Sequence, residues 1–169
     1  GVLGPVVAKE SLGGPTAWAT VLAGVPIGGV LGTFIATRIR PKRPMVVVLL
    51  MAEPSALLIG FLAIPAPVPA LVVAAIALGI SFSVLGVLWS TLLQVHVPPD
   101  LLSRVTAIDY LGSAAAGPIG TALVGTIAAA EGVRPTLVGA TVVIVLSGFG
   151  GLVVPDVWRI GLEKPPAEA

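Results

Sequence analysis

Two carboxylic acids, Glu53 and Asp109, interrupt long apolar runs, and of all the side chains in this sequence they have the most chemistry to offer. An ionisable group at the middle of a bilayer costs about 3 kcal/mol on insertion scales, so one that persists there faces a cavity or a partner. Glu53 lies about eight residues, or ~12 Å of helix, from one end of its run, and Pro54 follows it directly. It reads either as a proton-exchanging carboxylate or as a partly hydrated group paired with a loop arginine. Asp109, followed by Tyr110, lies in the first third of its run. On one reading it exchanges protons or binds a cation. On the other it pairs with Arg104 or bonds to a neighbouring helix.

Other chemistry is sparse. Asp100 and Arg104 stand four apart with the acid first, the order that favours a helix-surface ion pair worth about 0.3 to 0.5 kcal/mol. The single histidine, His96, falls between Val95 and Val97 in a loop and reads as a solvated residue. With one histidine and no cysteine there is no metal spacing and no nucleophile with a paired base, so neither an enzyme nor a metal or cofactor site is expected. No Gly-Lys-Ser or Gly-Lys-Thr follows the glycines, which argues against nucleotide-driven work by this chain.

Lipid is the solvent such a chain requires. Hydrophobic residues make up 56% of it and charged residues 10%, with a mean hydropathy of +1.09, too little polar surface to coat a water-soluble globule. The net charge of +1 carries no sign of a nucleic-acid partner; what matters is how charge is distributed among the loops.

The runs that must position the acids are each about 20 residues long, the length that crosses ~30 Å of hydrocarbon as a helix. We expect an all-α membrane protein, a polytopic transmembrane helical bundle of five complete spans plus a truncated sixth. The spans are placed at about 16–37, 45–64, 70–93, 101–130 and 135–154, with 1–8 the remnant of a preceding span. Pro41 and Pro44, Pro65, Pro67 and Pro69, Pro98 and Pro99, and Gly132 with Pro135 all fall between spans, where helix breakers belong. The short connections imply a compact bundle, and the segment 155–169 is expected to be a disordered cytoplasmic tail.

Direction follows from Lys and Arg. Arg38, Arg40, Lys42, Arg43, Arg104, Arg159 and Lys164 collect on one side, against Lys9 and Arg134 on the other, which places the first group and the C-terminus in the cytoplasm. Trp18, Trp89 and Trp158 lie near span ends and read as interfacial anchors. Gly24, Gly28 and Gly32, continued by Ala36, form a small-residue row, and Ser113, Gly117, Thr121 and Gly125 form another; such faces let helices pack closely and slide. Pro26 and Pro118 interrupt these two helices and are expected to kink them or leave an irregular turn.

Two stretches bear a family likeness. GTFIATRIRPKRP, 32–44, resembles the degenerate second copy of the glycine-and-basic loop motif of the major facilitator superfamily, although no acid stands near Ala36 or Thr37 and Arg40 takes the place of a glycine. WSTLLQVHVPPDLLSRVTAIDYLGS, 89–113, is similar to the segment between helices 10 and 11 in the bacterial branch containing the enterobactin exporter and related drug-efflux proteins, and LGPVVAKESLGGPTAW, 3–18, extends the likeness. The resemblance implies the C-terminal half of such a transporter, from the end of helix 7 to helix 12, in the bacterial inner (plasma) membrane. Its partners would be the bilayer, a missing N-terminal six-helix half and a small amphipathic substrate of drug or siderophore type, exported by alternating access and commonly driven by proton antiport. Asp109, Glu53, Tyr110, Trp89 and Gln94 are then the substrate or proton-coupling candidates. Arg38, Arg40, Arg43, Asp100 and Arg104 are gating or interface candidates. The alternative is a non-transporting membrane scaffold or assembly subunit, or a decayed fragment, derived from such a half.

Overall fold

The computed structural model describes residues 3–64 and 66–158, and among them it contains helices and no strand. Seven α-helices run in order: α1 (Gly4–Ser11), α2 (Pro15–Arg38), α3 (Pro44–Leu50), α4 (Glu53–Ala63), α5 (Val68–His96), α6 (Pro99–Glu131) and α7 (Val133–Leu152), followed by a 3-10 turn (Pro155–Trp158). Taking α3 and α4 together as Pro44–Ala63, five stretches among the described residues are long and apolar enough to cross a membrane. Each helix from α1 to α6 has a proline at its first or second position, where the missing N–H would have had no partner. Gly132 (φ +92°) turns the chain sharply from α6 into α7, a conformation that side chains with a Cβ rarely adopt.

The core is built on α2 and α5. Gly24, Gly28 and Gly32 are buried against α5, where a Cβ on Gly24 would lie 3.0 Å from the Val72 carbonyl oxygen and one on Gly32 would lie 2.5 Å from that of Ile80. A Cβ on Gly28 would land on the Ile76 carbonyl, and one on Gly79 of α5 would land on that of Val25. Contacts advance together along both helices, so α2 and α5 are parallel neighbours, joined by the Ser83 hydroxyl donating to the Gly29 carbonyl at 2.9 Å. In lipid, such close backbone approach supplies the dispersion contacts that hold helices together. Val21, Leu71, Ala74 and Ala75 fill one end of the seam, and Ala36, Val84 and Leu88 the other.

A second pair, α4 and α7, is antiparallel: Gly60 faces Thr141, Glu53 faces Gly148, and Leu49 of α3 faces Gly151. The expected span 45–64 is broken here at Met51 and Ala52. Pro54 lacks the N–H that would bond the Leu50 carbonyl, and the chain tightens instead, with Ala52 N–H donating to Leu49 O at 3.1 Å and the Ser55 hydroxyl to Ala52 O at 2.6 Å. The irregular turns expected at Pro26 and Pro118 are absent, since α2 and α6 run through both without interruption.

α6 differs from the rest. It spans 33 residues, about 50 Å, and not one of them is buried. Gly117 and Gly125 therefore correct the close-packing expectation for their row, because a Cβ on either would meet nothing within 4 Å. Beneath this face lies an apolar cavity of about 380 Å³ that Gly117, Gly120 and Thr121 share with Leu62, Leu137 and Ala140.

The parallel and antiparallel pairings bring the α2–α3 loop, the α5–α6 turn and the end of α7 to one end of the bundle. The Arg43 guanidinium lies 5.0 Å from the centre of the Trp158 ring, whose N–H donates to Leu152 O at 2.8 Å. Residues 155–158, assigned to a disordered tail from sequence, are thus ordered; residues 159–169 lie outside the described residues, and with them Arg159 and Lys164. Trp18, expected as an interfacial anchor, packs on Gly4 of α1, so closely that a Cβ there would overlap its ring.

Candidate functional site

Of the five substrate or proton-coupling candidates, two meet. The Trp89 indole N–H on α5 donates to Asp109 Oδ2 on α6 at 3.1 Å, and both side chains are half-buried. The meeting is a consequence of the turn at Val97 and Pro98, which folds α6 back along α5 so that residues equally far from it come level. Asp109 accordingly takes the neighbouring-helix bond and makes none to Arg104. A half-buried indole N–H gains from an acceptor, and the Asp109 carboxyl supplies one, a bond worth about 1 kcal/mol. A carboxylate accepts about four hydrogen bonds, and among the described residues Trp89 supplies the one that Asp109 accepts.

Tyr110 and Gln94 do not join them. Tyr110 is 72% exposed and Gln94 is also exposed, the one pointing away from the α5 contact and the other nearer the turn. Asp100 and Arg104 are both exposed, and no ion pair within 4.0 Å joins them among the described residues, so the expected helix-surface pair is not formed. Arg38, Arg40 and Arg43 are exposed at the end of the bundle, where Arg43 is the one engaged, over Trp158.

Glu53 is elsewhere, on the α4–α7 side. Its Oε1 is buried against Gly148 without a hydrogen-bond partner, and no arginine among the described residues pairs with it. Gly148 leaves the room that this carboxylate occupies. Neither the Glu53–Gly148 contact nor the Arg43–Trp158 stack is foreseeable from spacing along one helix, since each joins positions about 100 residues apart. The Trp89–Asp109 bond did leave a signal: a tryptophan and a carboxylate at similar distances from a Pro-Pro turn.

The arrangement offers one half-buried acid tied to a tryptophan on a helix that the bundle leaves uncovered. Comparison with known proteins adds a relative. The chain is 26% identical over 156 residues to the multidrug efflux pump Tap of Mycolicibacterium fortuitum, a match covering 90% of this chain. The chain spans 37% of the length of that relative. No protein-family model matches the chain, and no solved structure matches it significantly.

Proposed function

We propose that this chain is the C-terminal half of a major facilitator transporter that exports a small amphipathic compound by alternating access, coupled to proton entry, and that it has no enzymatic activity. The observation that carries the reading is α6: a helix of 33 residues, none of them buried, bearing the one acid tied to the neighbouring span. A helix so little covered by its own bundle suits a surface shared with a second bundle, with Asp109 bordering the space between them. The likeness to an efflux pump over 90% of the chain supports the same reading. In it, rocking of the two halves exposes Asp109 to each side in turn. The basic loop from Arg38 to Arg43 would face the cytoplasm of a bacterium whose plasma membrane the bundle spans.

Reconstitution tests it. In proteoliposomes loaded with a fluorescent amphipathic dye, the 169-residue chain alone is expected to give no pH-gradient-dependent efflux, and efflux is expected to return when it is co-purified with a six-span N-terminal half. Efflux by the chain alone would overturn the reading. Sidedness has its own check in a sequence without cysteine: Thr37→Cys and Gln94→Cys should react with an impermeant maleimide only in inside-out vesicles. Labelling from outside would invert the topology.

A further inference from the structure

A groove between α4 and α7 has a volume of about 640 Å³, within the range that holds a drug-sized molecule. Its wall is apolar along Leu57, Phe61, Ile64 and Val145. Thr141, toward the other end, already donates its hydroxyl proton to Leu137 O at 2.9 Å. At the first end stands Glu53, which lines the groove while its Oε1 remains buried without a partner. Pro54 deprives the Leu50 carbonyl of its helical donor, and Leu50 and Pro54 line the groove beside Glu53. That end therefore sets a carboxylate, and a residue whose carbonyl has lost its helical donor, on the groove wall, with Thr141 the one side-chain donor among the lining residues. A lipid tail could fill the groove, yet it would bring no hydrogen-bond donor to the Glu53 carboxylate on its wall.

We propose that the α4–α7 groove binds an amphiphile carrying a protonated amine, with the ammonium on Glu53 and the apolar body laid along α4 toward Ile64. The distance from Glu53 to Ile64 is about 16 Å of helix, close to an extended twelve-carbon chain. An ammonium brings three donors and a positive charge to a site that has acceptors and no cation of its own among its lining residues. An anionic or neutral amphiphile of the same length fits the wall and not the end. The site is separate from Trp89 and Asp109, which lie on α5 and α6. Its occupation does not depend on transport.

The test is equilibrium binding to the purified protein in phosphatidylcholine nanodiscs, with empty discs as background. Tritiated dodecylamine is expected to bind saturably, and dodecanol about tenfold more weakly. Glu53→Gln should lower dodecylamine affinity about tenfold and leave dodecanol unchanged, which also reports that the groove is intact. Leu57→Trp, which fills the groove and keeps the acid, should abolish saturable binding of both. Equal dodecylamine binding by the parent protein and Glu53→Gln, or undiminished binding by Leu57→Trp, overturns the proposal, as does the absence of saturable amine binding. Repeating the titration in phosphatidylethanolamine discs separates the sources of the amine. Competition assigns the site to the lipid headgroup, and undisturbed binding assigns it to a dissolved amine.

Discussion

Gly28→Leu is expected to force α2 off α5 and to destabilise the bundle by about 3 kcal/mol, read as a fall in the detergent unfolding midpoint. The reason is the identity of the neighbour. A Cβ at Gly28 would sit 2.8 Å from the carbonyl carbon of Ile76, and a backbone atom cannot rotate aside as a side chain can. Gly79→Leu strikes the same crossing from the other helix, against the Val25 carbonyl, so the double substitution should cost much less than the sum of the two. Gly112→Ala is the control. Nothing lies within 4 Å of a Cβ at that position, and the change should leave the midpoint within about 0.5 kcal/mol of the parent. Equal losses at Gly28 and Gly112 would show that the α2–α5 seam does not carry the stability.

The second large effect concerns Asp109. In the proposed two-half transporter, Asp109→Asn is expected to reduce pH-gradient-driven dye efflux to the background of empty proteoliposomes while changing stability by less than about 0.5 kcal/mol. The amide retains an oxygen for the Trp89 N–H, now 3.1 Å from Asp109, and loses the exchangeable proton and the charge. Trp89→Phe makes the opposite cut, removing the donor and keeping the acid. It should cost about 1 kcal/mol of stability and slow efflux without ending it. Should Asp109→Asn transport at the parental rate, the acid serves only to tie α6 to α5.

These two sites differ in how legible they were before the fold was known. The row Gly24, Gly28 and Gly32 repeats every fourth residue, so one helix face is evident from spacing alone. Which helix receives it is not, because α5 lies beyond the intervening span and its own contribution is the single Gly79. The second row looked the same in sequence and packs on nothing, since spacing shows that a helix can be approached closely and is silent on what approaches it. The helix ends were legible where prolines and glycines gather, as at Pro98 and Gly132. The break at Met51 and Ala52 was not, because Pro26 and Pro118 lie inside spans equally and leave them whole. α6 runs whole through Pro118 without burying a residue, so neither a local pattern nor the packing around the proline separates the cases. Asp109 and Glu53 stood out as acids in apolar runs, while their surroundings, an indole in one case and a bare glycine in the other, come from remote segments.

The parallel pairing of α2 with α5 also sets a timetable for assembly. A ribosome that has finished Arg38 must add roughly 60 more residues before His96 completes the surface that the glycine face fits, a delay of about 3 to 12 s at ordinary rates of synthesis. Through that interval α2 stands in the bilayer with its most adhesive side open, next to newborn spans that are nearer in sequence and wrong as mates. An insertase or a neighbouring lipid must occupy that side until α5 arrives. A nascent chain stalled before α5 emerges should therefore be the one most readily cross-linked, through a cysteine introduced beside Gly28, to the membrane machinery that shelters it.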